Sequence, residues 1–95
     1  MKYVKINGPA AVVTVVGAYD FVISTSVKDD LSNALNNGCT KVEVNFEHTS
    51  SIDSAAMGDL IQIRRRVGPE NFAVKNIQGE VLKSFKGARL TEWLR

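Results

Sequence analysis

With 95 residues, 44% of them apolar, the chain has room for one hydrophobic core and for no separate substrate domain, so residues 1–95 are expected to form a single unit. Its formal charge of +2 is a small excess, and the basic residues are spread out apart from Arg64-Arg65-Arg66, which argues against nucleic acid as a partner. Cys39 is the only cysteine; this excludes an internal disulfide and a thiolate metal cluster, and it suits a reducing compartment.

Tyr3 to Ile6 alternates weakly and stops at Asn7-Gly8-Pro9, which predicts a short strand and a turn. Ala11 to Val16 predicts a second strand, paired with the first as a hairpin. Lys2 and Lys5 ahead of the apolar run from Ala10 to Ala18 imitate a secretion signal. The β-branched content of that run and the Gly8-Pro9 turn mark it instead as a buried strand. No apolar run approaches the roughly 18 residues of a membrane-spanning helix. A soluble, cytoplasmic protein without membrane insertion is expected. The second strand is apolar at nearly every position, the composition of a strand covered on both faces.

Beyond Gly17-Ala18-Tyr19-Asp20 the spacing changes, and Val27, Leu31, Ala34 and Leu35 recur at helical intervals. Ser26-Val27-Lys28-Asp29 fits a capping box and puts the helix start at Ser26, while Gly38, after Asn36-Asn37, ends it. Lys41 to Phe46 reads as a strand with Val42, Val44 and Phe46 on one face. Ala56, Leu60, Ile63 and Val67 then predict an amphipathic helix flanked by Met57 and Ile61, with Gly58, Gln62, Arg65 and Arg66 opposite and Gly68-Pro69 as its stop. Asn71 to Ile77 predicts a strand, Val81, Leu82 and Phe85 a short helix between Gly79-Glu80 and Gly87, and Leu90 to Arg95 a last short strand. Alternating strands and helices predict an α/β fold: a mixed sheet of four to five strands, later strands parallel, right-handed crossovers, and three helices largely on one side.

Strand-to-helix loops of such a sheet lie at the carboxyl ends of strands, where ligands and partners meet the fold, and Asp53-Ser54 occupies one of them. Here the sequence resembles the STAS domains, named for sulfate transporters and anti-sigma factor antagonists. The strand Val42-Glu43-Val44-Asn45-Phe46 and the segment Ile52-Asp53-Ser54-Ala55-Ala56-Met57-Gly58-Asp59-Leu60-Ile61 look like the family's hydrophobic strand, then Asp-Ser-small-Gly-Leu-Gly, then helix. Gly17-Ala18-Tyr19-Asp20 is similar to the family's Gly-x-Leu-Asp, and Val74-Lys75-Asn76 precedes the third helix as the family's fourth strand does. The likeness covers nearly the whole chain. Ala56 stands for the usual glycine and Met57 for the usual leucine, while Gly58 is retained. Many relatives carry one more helix after the fifth strand, so the resemblance implies a truncated C-terminal helix and core surface left for another protein to cover.

The resemblance implies an anti-sigma factor antagonist, a partner-switching regulator. Ser54 would be phosphorylated by an anti-sigma factor serine kinase of the histidine-kinase-like ATPase type and dephosphorylated by a PP2C-type phosphatase. Asp20, Asp53, Ser54, Ala55, Ala56, Met57 and Gly58 would form the partner surface; no cofactor is implied, and self-association stays open. The other implied role is a constitutive accessory subunit of a lipid-transport ABC system, docked on its ATPase. A third is a domain that binds a small ligand and reports it.

From position alone Ser54 reads first as a plain helix N-cap, a role compatible with the switch that the resemblance implies, and Thr49, Ser50 and Ser51 read as turn residues. His48, the sole histidine, has no second imidazole with which to hold a metal. His48, Asp53 and Ser54 share one tight loop without an oxyanion-hole motif, so no catalytic residue and no enzyme is expected. No Gly-x-x-x-x-Gly-Lys phosphate loop is present. Arg64 is placed to lay its stem along the apolar flank, and Arg65 and Arg66 belong to a solvated helix face.

Overall fold

The computed structural model describes residues 1–94. Strands β1 (Val4–Asn7) and β2 (Ala10–Thr14) form the expected antiparallel hairpin, with Val4 opposite Val13 and Asn7 opposite Ala10. Gly8 takes φ +60°, the positive value that the first loop position of a two-residue hairpin turn favours. After β3 (Gly17–Tyr19) come helix α1 (Phe21–Asn36), β4 (Lys41–Asn45), β5 (Thr49–Ile52), helix α2 (Ser54–Val67), β6 (Phe72–Lys75) and helix α3 (Gly79–Gly87).

The main sheet has the order β1-β2-β4-β6, with β4 parallel to both β2 and β6; β3 and β5 form a second, two-stranded parallel sheet. One face of the main sheet is buried: Val4, Ala11, Val13, Val42 and Val44 meet Val27, Leu31 and Ala34 of α1 and Leu60 and Ile63 of α2 in one core. Each valine, leucine or isoleucine among these, removed from water, contributes about 1.5–3 kcal/mol before entropy is counted. The opposite face carries Lys5, Val12, Glu43 and Ala73 in register and stays partly or fully exposed. The largely apolar β2 is therefore fully covered on one face only. Val12 suits the pleated open face as a β-branched residue and does not need full burial there.

Four elements differ from their predicted form. Helix α1 starts at Phe21, more than a turn before Ser26, because the Asp20 carboxylate caps it by accepting the Ile23 N–H at 3.0 Å. The first turn was hidden because its core-facing position is Ser24, fully buried and polar. Strands β3 and β5 replace two predicted loops. The C-terminal segment is a 3-10 helix, Thr91–Leu94, where a strand is predicted, and Arg95 lies outside the described residues. Trp93 of that helix is buried edge-on against Phe72 and Phe85, with ring centroids at 5.1 and 5.5 Å, so core is covered where exposed surface is predicted. Among the described residues no helix is long and apolar enough to cross a membrane.

Candidate functional site

The site is built from the second sheet. β3 and β5 run parallel with Tyr19 opposite Ile52, and each is followed by one aspartate and then a helix. Two helix N-termini, with their unpaired N–H groups and positive dipole ends, are thereby set side by side. Asp20 caps α1. Asp53 caps α2 through Oδ1, which accepts the Ala56 N–H at 2.8 Å, and its Oδ2 accepts the Phe21 N–H of the other helix at 3.0 Å. The Asp53 backbone N–H adds a bond to the Tyr19 carbonyl at 3.2 Å. One carboxylate thus pins both helix starts.

Ser54 is therefore the first helical residue and not the N-cap; Asp53 holds that place. The exchange has a chemical reason, since a carboxylate has two oxygens and serves two helices where a single hydroxyl serves one. Ser54 and Ala55 are exposed on this surface, as are Asp20 and Asp53, and Gly58 is half-buried. Ala56 is fully buried and Met57 nearly so, because they follow the apolar stripe of α2 into the core; the side chain of Ala56 is out of a partner's reach. His48 is exposed in the turn before β5, where its carbonyl accepts the Gly17 N–H at 2.9 Å. Thr49 is a buried strand residue whose hydroxyl donates to the Val15 carbonyl at 2.8 Å.

Behind the helix starts lies a polar cluster that the sequence reading misses. Ser24 Oγ, fully buried, donates to Asp59 Oδ2 at 2.7 Å, and Lys28 Nζ lies 3.5 Å from Asp59 Oδ1. The neighbouring Tyr19 hydroxyl is buried and has no hydrogen-bond partner among the described residues. Burial pushes its pKa well above the usual tyrosine range; the Asp59 charge adds to the rise and the Ser24 hydroxyl opposes it. No local pattern in the sequence marks Asp59; its place on the α1-facing side of α2 is seen only in the contacts to Ser24 and Lys28. Arg64 behaves as expected, its guanidinium 5.4 Å from the Trp93 ring centre.

The family model of the STAS domain matches residues 2–95. The chain belongs to the STAS domain family. Among curated proteins nothing matches. Two solved structures resemble this STAS domain at nearly full length. The anti-sigma factor antagonist SpoIIAA in its unphosphorylated form is 22% identical, with a TM-score of 0.82 over 95% of this chain and 82% of that one. A crystal structure of a putative anti-sigma factor antagonist from Thermotoga maritima is 18% identical, with a TM-score of 0.81 over 94% and 79%. A sulfate transporter family protein from Wolinella succinogenes shares the fold more loosely, at 11% identity and a TM-score of 0.73 over 96% and 75%. At these identities the likenesses establish the fold.

Proposed function

We propose that this STAS domain is an anti-sigma factor antagonist controlled by phosphorylation of Ser54. The observation that carries the reading is the exposed Ser54 at the first turn of α2, on a surface where two helix N-termini and their capping aspartates meet. Unphosphorylated, the surface made by Asp20, Asp53, Ser54, Ala55 and Gly58 docks on an anti-sigma factor of the histidine-kinase-like ATPase type, which then releases its sigma factor. That partner's ATP supplies the phosphoryl group: the Ser54 oxygen bonds to the γ-phosphorus, ADP departs, and the hydroxyl proton passes to a base on the kinase. A PP2C-type phosphatase returns the serine by hydrolysis, releasing inorganic phosphate. The domain is the substrate in both steps.

The electrostatics support this direction of switching. A phosphate at a helix start gains about 0.3–1 kcal/mol from the dipole, so the fold tolerates it. It also brings about −1.5 to −2 charges beside Asp53, which changes the surface that a partner meets.

The test is a tagged pull-down from the source cell with wild type, Ser54→Ala and Ser54→Asp, the bound proteins identified by mass spectrometry. A histidine-kinase-like ATPase is expected with wild type and Ser54→Ala and absent with Ser54→Asp. ABC transporter subunits retained equally by all three would overturn the switch in favour of an accessory subunit.

A further inference from the structure

An open cleft of about 400 Å³ lies between α2 and α3, directly beside Ser54. Its walls come from Met57, Gly58 and Ile61 of α2, from Ser84 of α3 and Ala88 just after it, with Ile52 contributing from β5. The one ionisable group in its lining is Asp53, and both oxygens of that carboxylate already accept backbone N–H groups. Beyond that carboxylate, whose negative charge the hydrogen bonds leave in place, the lining is apolar apart from the Ser54 and Ser84 hydroxyls, so most of the cleft wall suits an apolar group.

Gly58 is the second observation. It sits in the interior of α2, where glycine weakens a helix relative to alanine. Its backbone does not take the positive φ that would require glycine, and a β-carbon built on it would meet nothing within 4 Å. Nothing among the described residues requires a glycine at this point, so the space above it is available to something from outside.

We propose that this cleft, held open by Gly58, receives one uncharged apolar side chain from the ATPase partner, and that a phosphate on Ser54 shuts that side chain out. The inference rests on the partner-switching reading above and adds the place where the switch is read. The cleft is open to solvent, whereas small-molecule sites enclose most of their ligand; a side chain projecting from a protein surface brings its own cover. Phosphorylation puts a strongly hydrated dianion into a lining that holds no lysine or arginine to neutralise it. Seating an apolar group there would strip water from the phosphate with only the helix dipole to offset the loss, so binding is lost with no change of fold.

The first arm of the test uses indole as an apolar side-chain probe on the ¹⁵N-labelled protein. Shifts clustered at Ile52, Gly58, Ile61 and Ala88 are expected in wild type and their loss in Gly58→Leu, which fills the cleft from its own wall. Scattered shifts, or shifts that survive in Gly58→Leu, overturn the proposal. The second arm titrates the purified histidine-kinase-like ATPase against wild type, Ser54→Asp and Gly58→Leu. Gly58→Leu is expected to bind at least about tenfold more weakly, as for loss of a buried anchor contact, while melting no lower than wild type. Release by Ser54→Asp with full binding by Gly58→Leu removes the cleft and leaves the switch standing. Full binding by Ser54→Asp removes the switch, and with it the claim that phosphate closes the cleft.

Discussion

Along α2, the flank turned towards α1 carries Asp59, bonded to Ser24 and paired with Lys28, and further on Arg66, whose guanidinium reaches Ser32 and Asn36 at 3.5 and 3.4 Å. The flank turned towards α3 carries Gly58 and Ile61 and faces the open cleft. A groove also runs between α1 and α2, but it is smaller, about 240 Å³, with Lys28, Asp59 and Arg66 among its lining residues. The contrast separates two tasks. Polar pins on one side fix where Ser54 stands, and small residues on the other leave room next to it.

Breaking the closed flank has the largest expected effect. In Asp59→Ala the fully buried Ser24 hydroxyl loses its acceptor, which costs about 1–3 kcal/mol. The Lys28 pair is half-exposed and adds only a few tenths of a kcal/mol. Urea unfolding should show the loss, and Asp59→Asn, which keeps an acceptor for Ser24, should recover most of it. An unchanged midpoint in Asp59→Ala would mean that the cluster does not hold α1 to α2.

The open flank gives the opposite sign. In Gly58→Ala the new methyl enters free space and the helix loses its most flexible interior residue, so stability should rise by about 0.5–1 kcal/mol. The measurement is the same urea midpoint beside wild type. A fall would show that the space above Gly58 is smaller than it looks and would weaken the contrast between the flanks.

How much of this was legible in the sequence follows from the same residues. The hairpin, β4, α2 and α3 were readable because their apolar spacing agrees with burial, as in Val42, Val44 and Phe46 or Ala56, Leu60 and Ile63. The start of α1 was not, because polar Ser24 fills a core position while apolar Phe21 and Val22 face solvent, which inverts the usual code over one turn. β3 and β5 are too short to show a period; Thr49-Ser50-Ser51 reads as a turn, and it becomes a strand only by pairing with a segment some 30 residues earlier. At the site, the aspartates and the serine were visible, but their division of labour was not. That Asp53 caps one helix and ties down a second depends on β3 and β5 lying side by side, a contact that no local pattern encodes.

The smallest effect near pH 7, and the one that probes the joint behind both helix starts, belongs to Tyr19. Its hydroxyl is buried and has no partner among the described residues, so Tyr19→Phe removes an unsatisfied polar group and should change stability by no more than about 1 kcal/mol at neutral pH. At alkaline pH the two proteins should diverge. Unfolded tyrosine ionises near about pH 10. In the fold, burial and then the Asp59 charge hold the phenol protonated to higher pH, with Ser24 opposing. The unfolded chain therefore sheds its proton first. Stability is complete below the unfolded value and declines as pH rises above it, because the unfolded state binds fewer protons than the native one there. Tyr19→Phe lacks this linkage, while Tyr3 is common to both proteins, so the difference between their urea midpoints should stay flat up to about pH 10 and then widen in favour of the variant. Parallel curves through pH 11 would mean that the phenolate is accommodated, and hence that the cluster of Tyr19, Ser24 and Asp59 opens readily at the point where α1 and α2 begin.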